Sequence, residues 1–388
     1  MTAPAPAPLP GAGGPSTGRL LVAFLAVVAV AGLVLTLSID HLGLTDDPSP
    51  GLVFADQPWF SGWVRWDAGW YHRIAVDGYS YVSGEQSTVA FFPAYPLLIR
   101  LLAAGPFSAF GAGIAITVVA GAASVVLFAR WCRRWLDGTG TWVAVACLMA
   151  WPFAFFLYGA MYSDALFLAL AVGAFLLLER DRPLAAGLVG ALATATRVVG
   201  PALVVGLLLR GWERSRVPGN RLPRWWAPAL VLSAAGVAAY CAYLGSRFGS
   251  PLAFVEQTGV PGWDQAAGPR TWFKIRFMEE MLDTTGAIRL RNLAHLAAFA
   301  TALAFTPRVV RRFGWAYGAY VALVLVVPGL SSKNFLGLGR YALAAFPAFA
   351  AAGDLLAGRP RLRVVALTGS AACLVVTTSL FARGFYLS

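Results

Sequence analysis

Asp67, His72, Arg73, Asp77 and Glu85 fall within nineteen residues, interleaved with Trp63, Trp66, Trp70, Tyr71, Tyr79 and Tyr81. Carboxylates accept protons and hydroxyl hydrogen bonds, and flat aromatic faces suit the apolar face of a sugar ring. Asp67 is the centre of this constellation, because it opens the segment DAGWYHRIAVDG. That segment reads as a short amphipathic helix with Gly78 as its stop. Helix capping is the competing use of an Asp at such a place. His72, Arg73 and Asp77 equally describe the solvated face of a helix lying on a membrane. One His with two carboxylates is too thin a ligand set, so no metal is expected.

The elements that must position these residues are membrane helices. A chain of 388 residues with 59% hydrophobic and 12% charged residues and a mean hydropathy of +0.68 does not present a hydrated surface all round. Apolar runs predict eleven spans, at about 20–37, 108–129, 141–157, 164–178, 183–196, 198–210, 226–246, 289–306, 313–330, 340–357 and 363–383. Residues 1–18 read as a disordered cytoplasmic tail and 19–388 as one transmembrane domain. The positive-inside rule places the arginine clusters at 130–134, 180–182, 210–224, 308–312 and 359–363 in the cytoplasm, with the N-terminus. Residues 40–107 and 247–288 then form the two large extracytoplasmic loops. Within the first, Asp67–Gly78 and Phe92–Leu102 are expected as two juxtamembrane helices, with Arg100 snorkelling.

Parity requires residues 183–210 to cross twice as a short hairpin, which sinks Arg197 below the outer surface. A charge at that depth is costly without a wet or anionic partner. Asp164, Lys333 and Arg340 also stand at outer ends of spans. Basic charge here serves topology and anionic headgroups, which excludes nucleic acid as the partner. The cytoplasmic segments hold no Gly-rich loop or Walker signature for a soluble nucleotide. The four cysteines have neither disulfide nor zinc spacing.

The stretch RWDAGWYHRIAVDGY at 65–79, followed by AFFPAYPLLIRLL at 90–102, resembles the signature of the PIG-V-like family, the glycosylphosphatidylinositol mannosyltransferase II type. It is similar more broadly to membrane glycosyltransferases of the GT-C fold. YGAMYSDALFLAL at 158–170, GLVGALATATRVVGPAL at 187–203 and GRYALAAFPAF at 339–349 extend the likeness. The resemblance implies an all-α polytopic GT-C-type fold and no cofactor beyond a lipid-linked sugar donor. It implies transfer of a hexose, mannose, from a polyprenyl-phosphate donor to a glycolipid, glycan or protein acceptor, with Asp67 as the base. Substrate contacts are then expected from Arg65, Trp66, His72, Arg73, Asp77, Tyr79, Glu85 and Asp164, with Arg197, Lys333 and Arg340 as cations for the lipid phosphate. Glu85 has no secure counterpart in the family pattern. The rival reading is a translocase that moves a lipid or lipid-linked sugar and makes no new bond.

Overall fold

The structure, a computed structural model, describes residues 14–45, 49–54, 57–263, 265, 268–283 and 286–387, and these hold helices and no strand. Helices of six residues or more are numbered in chain order. They are α1 Thr17–Leu42, α2 Asp67–Asp77, α3 Ala94–Ala103, α4 Ala109–Cys132, α5 Gly138–Met149, α6 Asp164–Leu178, α7 Pro183–Thr194 and α8 Gly200–Ser215. There follow α9 Trp226–Val231, α10 Ala235–Phe248, α11 Ile275–Asp283, α12 Ala287–Ala304, α13 Thr306–Phe313, α14 Trp315–Ser331, α15 Leu338–Ala344, α16 Phe346–Ala357 and α17 Pro360–Ala382. Residues 1–13 of the expected tail lie outside the described residues, and α1 is already helical at Thr17.

This is a multi-pass membrane protein. Five helical stretches, Thr17–Leu42, Ala109–Cys132, Trp226–Phe248, Ile288–Phe313 and Pro360–Ala382, are long and apolar enough to cross a bilayer. Their apolar side chains point outward as well as inward. On α1, Leu20, Phe24 and Leu35 are buried while Val22, Val30 and Leu33 are exposed, as expected of a helix with lipid on one side. Among the shorter apolar helices, α5 packs on α16, and α6 packs on α4 and α7. Small residues let backbones approach there. A Cβ added at Gly353 of α16 would lie 2.5 Å from Ala144 Cα of α5.

Two expected spans are broken by proline. The run at 141–157 is helical only to Met149, because Pro152 disfavours helical geometry at Trp151 and cannot continue the ladder. The chain goes on as the 3-10 turn Ala154–Leu157. The run at 340–357 splits into α15 and α16 at Ala345, two residues before Pro347. The hairpin expected at 183–210 is present as α7 and α8, with Arg197 in its tip.

Both helices expected in the first loop form, as α2 and α3, and the exposed Arg100 binds within the protein. Its Nε donates to Ala75 O at 2.7 Å, and Nη2 donates to Ile74 O and Val76 O at 3.3 Å. A guanidinium from α3 therefore satisfies the last carbonyls of α2, where a helix end favours positive charge. The two helices are fastened to each other and, through Ala94 N–H to Ala195 O at 2.8 Å, to the hairpin tip.

Candidate active site

Four segments meet where α2, α6, α15 and the α7–α8 tip come together. Asp67 is the first residue of α2, and Trp66 before it has a left-handed φ of 54°. Non-glycine residues adopt that region at a cost, which is commonly met at functional sites. The turn is held from behind: Asp67 N–H donates to Tyr162 Oη at 3.1 Å, and that hydroxyl donates to Arg65 O at 3.1 Å. The Asp67 carboxylate does not cap its own helix. Its Oδ2 accepts from Arg340 Nη1 at 2.8 Å.

Asp164 opens α6, where the helix N-terminus favours a carboxylate, and its Oδ1 forms an ion pair with Arg197 Nη1. Arg340 Nε lies 3.9 Å from the same oxygen. Aromatic faces carry the cations: Arg197 lies 4.8 Å from the Tyr341 ring centre and Arg340 5.0 Å from that of Tyr162. The cluster holds two carboxylates and two guanidiniums, so it is neutral and tolerates burial. Asp164 and Arg197 are closed in, with side chains 3% and 7% exposed, whereas Asp67 is 15% exposed and is the opening to outside.

Asp67 lines two cavities. The first, about 560 Å³ and open, is lined by Ser49, Trp66, Asp67, Gly69, Trp70, Arg73, Gln86, Gly262, Trp263 and Tyr386. Aromatic edges and faces dominate it, with Trp66 and Tyr386 rings 4.8 Å apart and Trp70 and Trp263 rings 5.9 Å apart. The second, about 80 Å³, lies on the other side of Asp67 among Tyr71, Phe91, Ser163, Arg197, Arg340 and Tyr341. Tyr71 is no rival base there. Burial pushes its phenol up to about 12, and its hydroxyl pairs with Ser163 Oγ at 2.9 Å.

The expected residues do not all reach these cavities. Trp66, Arg73, Asp164, Arg197 and Arg340 join Asp67 on the cavities or in the charge cluster behind them. Arg65 lines neither cavity: it is fully buried and donates to the carbonyls of Ala382 (2.9 Å), Ser61 (3.1 Å) and Val64 (2.8 Å), while its Nη2 is buried without a hydrogen-bond partner. His72 stacks on Phe110 with ring centres 4.0 Å apart, away from both cavities. Tyr79 donates to Phe91 O at 2.8 Å and so supports a cavity wall without lining it. Asp77 and Glu85 are exposed and line neither cavity, and the neighbour Gln86 does. Lys333, half-buried between α14 and α15, lines neither. Sequence reasoning missed Trp263 and Tyr386, which come from the second loop and the C-terminal end and carried no local signal.

The family model described as mannosyltransferase (PIG-V) matches residues 19–209 of the 388. The fold is similar to ArnT from Cupriavidus metallidurans bound to undecaprenyl phosphate, with a TM-score of 0.50 and 14% identity over 96% of this chain and 77% of that one. No curated protein matches the chain in sequence.

Proposed function

We propose that this enzyme transfers a hexose, mannose, from a polyprenyl-phosphate-linked donor to an extracytoplasmic acceptor, with Asp67 as general base. One observation carries the reading: Asp67 is shared by a small niche that holds Arg197 and Arg340 and by a large aromatic cavity. In an inverting transfer the acceptor hydroxyl attacks the anomeric carbon, the bond from that carbon to the phosphate oxygen breaks, and the hydroxyl proton passes to Asp67. The lipid phosphate leaves as an anion and requires positive charge rather than a general acid, which Arg197 and Arg340 supply. The acceptor occupies the aromatic cavity, where Trp66, Trp70 and Trp263 offer ring faces. That ArnT binds undecaprenyl phosphate is in keeping with a polyprenyl donor.

The side of the membrane is supported by charge. Glu179, at the far end of α6 from Asp164, gathers Arg210 at 2.6 Å, Arg134 at 3.8 Å and Arg214 at 3.9 Å. Fifteen helical residues separate the two ends, roughly 22 Å. The arginine-rich end is the cytoplasmic one, so the site faces out.

The test is purified protein in lipid vesicles given polyprenyl-phosphate mannose labelled in the sugar. The proposal expects label in a new glycosidic product. Label that crosses the bilayer still attached to its phosphate would instead establish a translocase.

A further inference from the structure

Arg340 is engaged by two carboxylates at once and saturated by neither. Its Nη1 donates to Asp67 at 2.8 Å, but its Nε is buried without a hydrogen-bond partner and stops 3.9 Å short of Asp164 Oδ1. Asp164 Oδ2 is likewise buried and unpartnered. Unmade hydrogen bonds at buried charged groups are costly. A shift of about 1 Å toward Asp164 would bring Nε into bonding range. The small niche opens on the same guanidinium.

We infer that the Asp67 carboxylate and the donor's lipid phosphate compete for the single guanidinium of Arg340, and that Arg340 follows the negative charge from base to leaving group during transfer. The inference rests on the reading of Asp67 as base and of the niche as the phosphate site. Charge balance motivates it. Before transfer Asp67 carries one negative charge and the donor phosphodiester another. As the carbon–phosphate oxygen bond breaks, the sugar bonds to the acceptor oxygen and the acceptor's proton neutralises Asp67. The lipid then holds a phosphate monoester whose second charge is the one Asp67 has lost. A guanidinium fixed on Asp67 would oppose this movement, because it favours the charged base over the charged leaving group. One that is exchanged to phosphate favours it. The Arg340 contact masks Asp67, so an anion that draws the guanidinium into the niche releases the base.

The competition has a signature that ordinary site residues lack: removing a negative charge from the base should tighten lipid-phosphate binding, and only through Arg340. The experiment measures undecaprenyl phosphate binding to full-length protein in nanodiscs for wild type, Asp67→Asn, Arg340→Gln and the double variant. Asp67→Asn is expected to bind at least about fivefold more tightly, a typical coupling between linked sites. Arg340→Gln is expected to bind more weakly, and Asp67→Asn added to it should bring no gain. Arg340→Lys, which keeps the charge, should restore part of the gain and covers the case in which the Gln variant fails to fold. Unchanged or weaker binding in Asp67→Asn overturns the inference. So does an equal gain with and without Arg340, because that would be simple repulsion between Asp67 and phosphate. Turnover separates this from the base assignment: an Asp67→Asn protein that still transfers sugar at the wild-type rate defeats the base, whatever its affinity.

Discussion

Asp67 Oδ2 and Arg340 Nη1 are 2.8 Å apart and 273 residues distant in sequence, so the first residue of α2 is tied to the start of the helix pair α15 and α16. The contact closes the site between the first loop and the C-terminal third of the chain. Neither half holds a complete site.

The Asp164–Arg197 pair behind it is more buried, and its removal separates stability from function. Asp164→Ala leaves Arg197 charged in a closed setting, which typically costs about 3–5 kcal/mol. Paired replacement by Asp164→Leu with Arg197→Met should recover most of the lost Tm and leave transfer abolished. Recovery of both would show that the pair only holds the fold.

Gly69 faces the open cavity from α2, and a Cβ there would meet nothing within 4 Å. Gly69→Leu is therefore expected to fold well and to gain helix propensity. Its side chain projects into the cavity proposed for the acceptor, so kcat/KM for acceptor should fall about 10-fold or more, equivalent to about 1.4 kcal/mol. Donor affinity should stay unchanged. A loss of donor affinity with acceptor kinetics intact would reverse the assignment of the two cavities.

How far the sequence anticipates this site depends on the range of the signal. Asp67–Gly78 was readable because apolar spacing, an acidic start and a glycine stop occur within twelve residues, and α2 has those limits. The hairpin followed from charge parity alone, and Arg197 does sit in its tip. The partners of Asp67 were named only as separate cations, because nothing local links residue 67 to residue 340. Arg65 lines neither cavity although its neighbours Trp66 and Asp67 do, because its side chain turns inward to four carbonyls. The proline breaks after Met149 and Ala344 were legible in principle. Hydropathy hid them, because it counts Pro152 and Pro347 within otherwise apolar runs.

His72 gives the first loop a pH dependence. Burial against Phe110 holds its pKa below the ordinary 6.5, with Asp77 pulling the other way. The unfolded chain therefore takes up the proton first as pH falls, so stability is full above about 6.5 and declines below it. Thermal melts in nanodiscs from about pH 7.5 to about pH 5.5 should show a steeper fall in wild type than in His72→Gln. Parallel curves would remove His72 as the cause.

At the opposite end of α6, Glu179 also accepts from Tyr317 Oη at 2.8 Å, and Trp131 Nε1 donates to that same hydroxyl at 2.9 Å. This network joins α4, α6, α8 and α14. Glu179→Ala strands several cations and should destabilise by about 3–5 kcal/mol. Affinity for undecaprenyl phosphate, measured below the lowered Tm, should match wild type. Weakened binding there would place a lipid-phosphate contact at the arginine-rich end.

Removal of the acceptor's proton by Asp67 is tested most simply by the initial rate of mannose transfer by Asp67→Asn in nanodiscs at saturating donor. The substitution keeps size and leaves a hydrogen-bonding oxygen for Arg340, so the fold and Tm should persist. The account predicts a rate at least about 100-fold lower, in the range of a lost general base. Transfer at the wild-type rate by a folded Asp67→Asn protein would contradict it.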